Sequence, residues 1–193
     1  LGAAGGVGIS AIEIGKALGA KVVAAASSDE KLAVCKEYGA DEVINYGSYD
    51  LTDKDQIKKF RSDIATTSGG KGPDVIYDPV GGNFTEPALR SIAWGGRFLV
   101  IGFASGPIPK IPLNLYLIKG CSAVGVFWGQ FTMLEPQNHL ANMEQLTKWH
   151  EEGKLKAPVT EVLPLEQAKE ALEMILARKA KGKIALTTSF YKN

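Results

Sequence analysis

The apolar positions of the chain change period several times, and each change marks an element. Val7, Ile9, Ile12, Ile14 and Leu18 recur at helical intervals until Gly19, which suits a helix C-terminus. Residues 21–26 (KVVAAA) are apolar after the leading lysine, as expected of a parallel strand buried on both faces. Ser27-Ser28-Asp29 then caps a helix that runs through Tyr38. The same alternation predicts a strand over 42–45, a helix over 53–67, and a strand over 73–77 after the turn SGGKG. A helix over 84–92 and a strand over 96–101 follow. Past Gly102 a proline-rich loop (FASGPIPKIP) breaks the pattern. A strand over 122–127, amphipathic helices over 136–152 and 165–178, and a strand over 183–187 complete the reading.

Strands separated by single helices, with connections too long for hairpins, imply right-handed crossovers and a parallel sheet covered on both faces. The expected fold class is therefore α/β, a Rossmann-type doubly wound parallel sheet.

Composition narrows the function classes. The chain has 193 residues, 45% hydrophobic and 22% charged, which fits one full globular domain with a fragment of a second. A formal net charge of +1, without a basic stripe or a charged block, argues against nucleic acid as a partner. No apolar run reaches the roughly 18 residues of a membrane span, and no charged, signal-like lead opens the chain. The expectation is a soluble, cytoplasmic protein without a membrane partner. Cys35 and Cys121 lie far apart and lack metal-ligand spacing, so two reduced thiols and no metal are expected. The sequon Asn83-Phe84-Thr85 would matter only in a secreted protein.

The candidate chemistry begins at Leu1-Gly2-Ala3-Ala4-Gly5-Gly6-Val7-Gly8, a GxGxxG turn with Ala3 in the first glycine position, followed at once by a helix. Gly5 lets backbone approach a pyrophosphate, and Gly8 lets the helix pack closely on the sheet. The free N–H groups around Ala4, Gly5, Gly6 and Val7 at the helix start suit an anion. Glycine turns also serve plain strand-to-helix corners; the surrounding α/β alternation favours the dinucleotide reading. An acidic residue ending the second strand normally holds the ribose 2′-OH of NAD, and here that position is Ala26. Ser27, Ser28 and Lys31 offer hydroxyls and a cation instead, so NADPH is favoured over NADH. Helix capping by the serines is compatible with that role.

Five motifs then stand in order: AAGGVG, GADEVINY (39–46), DVIYDPVGG (74–82), GGRFLVIGFASG (95–106) and GVFWG (125–129). Together they resemble the zinc-independent quinone oxidoreductases of the medium-chain dehydrogenase/reductase superfamily, over essentially the whole chain. The resemblance implies that Tyr46 and Lys31 contact the 2′-phosphate. It implies that Val80, Gly81, Phe103, Ala104, Ser105, Phe127 and Trp128 line the nicotinamide pocket, chiefly through backbone groups. Arg178 and Lys183 match basic positions for the 2′-phosphate and the pyrophosphate.

The family also carries an N-terminal substrate domain and a first strand ahead of the glycine turn. The chain therefore reads as the cofactor half of a longer enzyme. Residues 1–154 would form the NADP(H)-binding domain, and 155–193 a segment packing toward a largely absent substrate domain. Loss of the first strand would strand backbone groups on its neighbours, at about 1–3 kcal/mol each.

The implied activity is NADPH-dependent transfer of hydride to an electrophilic small molecule, a quinone or an α,β-unsaturated carbonyl, with no side-chain acid or base required. The alternative is a non-catalytic NADPH-binding member of the superfamily. A short-chain dehydrogenase would need Tyr-x-x-x-Lys, and Tyr116 and Lys119 have the wrong spacing. The resemblance further implies a homodimer formed through strand 122–127. Trp94 and Trp149 fall on helical patterns and read as packing residues, whereas His139 and His150 read as surface groups. Asp78, at the end of a buried strand, could be a turn-maker or a functional carboxylate.

Overall fold

A computed structural model describes residues 1–188. Residues 189–193, the end of the segment expected over 155–193, lie outside the described residues. The chain runs α1 (Gly6–Ala17), β1 (Val23–Ala26), α2 (Asp29–Glu37), β2 (Glu42–Asn45), α3 (Lys54–Thr67), β3 (Val75–Asp78), α4 (Thr85–Arg90) and β4 (Arg97–Val100). It continues through α5 (Asn114–Lys119), β5 (Ser122–Gly125), α6 (Trp128–Leu134), α7 (Pro136–Glu151), β6 (Val159–Pro164), α8 (Ala168–Leu176) and β7 (Lys183–Thr187).

Every strand pairing is parallel: β1 with β2, β3 with β4, β4 with β5, and β6 with β7. Residues 1–3 lie between β1 and β3. The Leu1 amino group donates to Tyr77 O at 2.9 Å and the Ala3 amide donates to Ala25 O at 3.0 Å. The spatial order is thus β2-β1-(1–3)-β3-β4-β5, and residues 1–3 satisfy one carbonyl on each neighbour.

Alternation along β1 shows the double winding. Ala24 and Ala26 pack with Ile12, Leu32 and Cys35 beneath α1 and α2. Ala25 faces the other way, into the larger core of Phe60, Ile64, Ile76, Leu89 and Phe98 beneath α3 and α4. Alanines suit β1 because helices approach it closely from both sides.

Several expected boundaries move. The strand expected over 122–127 ends at Gly125, although Val126 N still donates to Val100 O at 3.0 Å, because the chain turns into the unexpected α6 at Trp128. The helix expected over 84–92 becomes a 3-10 turn at Gly82–Phe84 followed by a short α4. Strand β6 and helix α5 were not expected either. Trp94 is no helical packing residue: it lies in a turn, 80% exposed, with its ring over Gly120. His139 is half-buried at the surface, its ring meeting the exposed Trp128 edge-on with centroids 5.8 Å apart. His150 closes the turn after α7, its Nδ1 lying 2.8 Å from Leu155 O.

Residues 155–188 return to the glycine turn. The Lys156 amide donates to the buried Glu13 Oε1 at 2.7 Å, and the Gly182 amide donates to Ala4 O at 2.9 Å. Helix α8 buries Ala171 but exposes Leu172, Ile175 and Leu176.

Candidate functional site

In a doubly wound sheet the ends of the strands make the ligand edge, and the predicted residues gather there in three groups. The first surrounds the start of α1. Gly5 is the N-cap with no side-chain cap, and the first turn holds no acidic residue. The amides at this helix start are left available to an anion. A Cβ on Gly8 would overlap the Gly2 carbonyl oxygen and lie 2.6 Å from Ala3 Cα, so the protein itself demands that glycine. At Gly5 a Cβ would meet only Gly2 O, at 3.6 Å. Its missing side chain leaves open space in front of the helix. Lys183 arrives from β7: a Cβ on Gly6 would lie 3.2 Å from Lys183 Cγ and 3.5 Å from its Nζ. Thus Ala4, Gly5, Gly6, Val7 and Lys183 converge, joined by the parallel bridge between Gly5 and Gly182.

A second group lies past the end of β1. Ser28 caps α2, its Oγ accepting from the Lys31 amide at 3.4 Å, while Lys31 Nζ donates to Ser27 Oγ at 3.2 Å. Tyr46 follows β2 directly and stacks obliquely on Phe84, with centroids 4.6 Å apart. Burial pushes the Tyr46 phenol above its ordinary pKa, and the nearby Arg178 guanidinium pulls it partly back. Arg178 itself holds a left-handed backbone, φ 57°, just past α8. Lys31 and the two serines therefore stand just past the end of β1 at Ala26, and Arg178 stands near Tyr46 past the end of β2.

The third group comprises the loops after β3 and β4. Asp78 is 2% exposed, and its Oδ1 accepts from the amides of Val80 at 2.9 Å and Gly81 at 3.0 Å. Its Oδ2 accepts from Thr85 Oγ1 at 2.8 Å. Both oxygens are occupied, so Asp78 is the turn-maker. That turn locks to the next loop: Ala104 N donates to Pro79 O and Ser105 N to Val80 O, at 3.1 and 2.9 Å. Gly81, at φ 70°, admits Phe103, whose Cδ1 would lie 2.9 Å from a Cβ there. Ser105 Oγ is buried without a hydrogen-bond partner.

Phe127 and Trp128 stand at the same edge, beyond β5, but remain 75% and 65% exposed. The Trp128 ring rests on His139 rather than folding over the loops.

Some contributors escaped the sequence reading. Asn45 Oδ1 accepts from the Gly47 amide and its Nδ2 donates to Asp29, at 3.0 and 2.7 Å, so it shapes the turn carrying Tyr46. Lys181 reaches Glu30 at 3.7 Å and ties the approach of Lys183 to α2. Only the basic run Lys179-Ala-Lys181-Gly-Lys183 hinted at it.

The uncapped start of α1 beside Lys183 can hold one anionic group, and Lys31 past β1 and Arg178 near Tyr46 offer further cations on the same edge. Comparison with known proteins decides the family. The profile of the family described as zinc-binding dehydrogenase matches residues 6–148. The chain belongs to that family.

Curated relatives of the chain are named quinone oxidoreductase or quinone oxidoreductase-like protein, which supports its place in the medium-chain dehydrogenase/reductase superfamily. A quinone oxidoreductase-like protein 2 homolog of Nematostella vectensis is 37% identical over 96% of the chain and 49% of its own length. Quinone oxidoreductase 1 of Escherichia coli is 30% identical, over 93% of the chain and 53% of its own length. The solved E. coli quinone oxidoreductase complexed with NADPH superposes with a TM-score of 0.81 at 27% identity, covering 96% of this chain and 55% of that one. A mycobacterial protein complexed with NADPH gives 0.82 at 27% identity, over 95% and 53%. The chain thus spans about half the length of the curated relatives it matches. Among the described residues, no group of three or more His, Cys, Asp or Glu could hold a metal ion, which is compatible with the zinc-independent branch. No helix among them is long and apolar enough to cross a membrane.

Proposed function

We propose that this chain is the cofactor-binding part of a cytoplasmic, NADPH-dependent oxidoreductase that reduces a quinone or an α,β-unsaturated carbonyl. The observation that carries the reading is the return of Lys183 to the uncapped start of α1, which sets a cation beside open helix amides. Those groups would bind the pyrophosphate. Ser27, Ser28, Lys31, Tyr46 and Arg178 would hold the adenosine 2′-phosphate, with Ala26 leaving room for it. The locked loops carrying Val80, Gly81, Phe103, Ala104 and Ser105 would seat the nicotinamide, and the orphan Ser105 hydroxyl fits a polar partner supplied by the ligand. Phe127 and Trp128 would shield that end.

When bound, NADPH supplies the hydride. The chain's own contribution is to orient the cofactor on a rigid edge, and none of its side chains needs to move a proton. Residues 155–193 would pack toward a substrate domain, a role supported by the exposed apolar face of α8. The uncharged, exposed edge strand β5 supports a homodimer formed through 122–127. Free Cys35 and Cys121 suit a reducing compartment.

Stopped-flow NADPH oxidation by the full-length protein, against a panel of quinones and enones, tests the reading. Turnover with one of these classes is expected. NADPH bound without turnover on any acceptor would identify a non-catalytic member instead.

A further inference from the structure

A second cluster of charge lies at the opposite edge of the sheet, where the strands begin. Helix α4 returns there from the end of β3, α5 ends there before β5, and the turn 68–72 enters β3 there. Between them is an open pocket of about 370 Å³, lined by Lys58, Arg61 and Ser62 of α3, Lys71 of the turn, Arg90 of α4 and Lys119 of α5. Among the described residues no carboxylate lines it.

Two of the five cations have acidic partners on their own helices. Arg90 grips Glu86, with Nε at 2.9 Å and Nη2 at 2.7 Å, and Lys58 stands 3.3 Å from Asp55 in an exposed pair. Arg61, Lys71 and Lys119 have no ion-pair partner among the described residues. The Arg61 Nε is moreover buried without a hydrogen-bond partner. A buried, unpaired guanidinium N–H and uncompensated like charges around one pocket are both costly. Both costs vanish when a multivalent oxyanion enters, because guanidinium and ammonium donors match phosphate oxygens.

We propose that this pocket is a second anion site, which binds the phosphate group of a small molecule. It is separate from the glycine turn and does not depend on the hydride-transfer reading. Arg61 is the anchor, with Lys71 and Lys119 closing on the phosphate from the turn and from α5. The volume exceeds what a bare oxyanion fills, so a phosphomonoester fits as well as free phosphate.

Isothermal titration of the full-length protein, held in saturating NADPH at fixed ionic strength, tests the site with inorganic phosphate and with glycerol 3-phosphate. Saturable binding is expected for at least one of them. Tighter binding of the ester names an organic phosphate, and equal binding names free phosphate. Arg61→Gln should weaken binding by about tenfold or more, as loss of a charged hydrogen bond does. The Lys71→Gln, Lys119→Gln double variant should do likewise with its fold intact, since neither lysine belongs to the core. Heats no larger than those of chloride, or unchanged affinity in the folded double variant, would overturn the proposal.

Discussion

Lys31 serves two purposes through two different groups. Its amide is capped by Ser28 and its ammonium reaches Ser27, so the side chain can be changed without uncapping α2. Lys31→Met should weaken NADPH by about tenfold to a hundredfold, the range for a lost charge-assisted hydrogen bond, and leave NADH nearly unaffected. Fluorescence titration of both cofactors reads this, and equal losses would remove the lysine from the 2′-phosphate. The glycine turn offers a paired contrast. Gly8→Ala forces a methyl group into the Gly2 carbonyl and should cost about 1–3 kcal/mol in thermal unfolding. Gly5→Ala meets nothing closer than 3.6 Å, so it should leave stability nearly intact while weakening NADPH. At this scale the packing task read for Gly8 is what the structure shows, since a Cβ there would overlap the Gly2 carbonyl. The sequence left Asp78 open because a turn-making carboxylate and a functional one look alike until partners fill both oxygens.

Elements meet at a few polar joints, and Asp41 is one of them. Its carboxylate accepts two hydrogen bonds from Lys16 Nζ, both at 2.8 Å, and one from the Val22 amide at 2.7 Å, linking the end of α1 to the strand entrances. Lys16, then the Val22 amide, hold its pKa below the ordinary carboxylate value. A depressed folded-state pKa gives stability that is present above the unfolded value of about 3.9 and lost as pH falls through the folded one. Asp41→Asn should therefore lower stability at neutral pH and flatten the acid limb of a denaturation-versus-pH series. Legibility among elements followed hydrophobic content. Strands β2 and β7 were read to the residue. By contrast, α5 exposes Leu113, Leu117 and Ile118 beside it, and β6 is a mostly exposed strand between prolines with a register shift at Val159/Glu161. Helix α5 is only six residues long with Leu115 as its one fully buried residue, and β6 buries none, so neither repeats long enough to show a period.

For the whole molecule, β5 is the exposed edge of the β3-β4-β5 sheet and carries no charge. Val124→Lys should convert the expected dimer to monomer in light scattering, since an edge lysine opposes strand addition. NADPH affinity should persist, because no residue assigned to the cofactor lies within β5. What the sequence by itself determined is the set of local choices: the α/β alternation, the glycine turn, and the residue types along the ligand edge, all set by short-range periodicity and backbone sterics. Only the tertiary structure decided which distant residues meet. It brought Lys183 to the start of α1, set Arg178 near Tyr46, laid Phe103 on Gly81, and left residues 1–3 in the gap between β1 and β3. These contacts join positions far apart in the chain, and such pairings arise from packing, which no local pattern encodes.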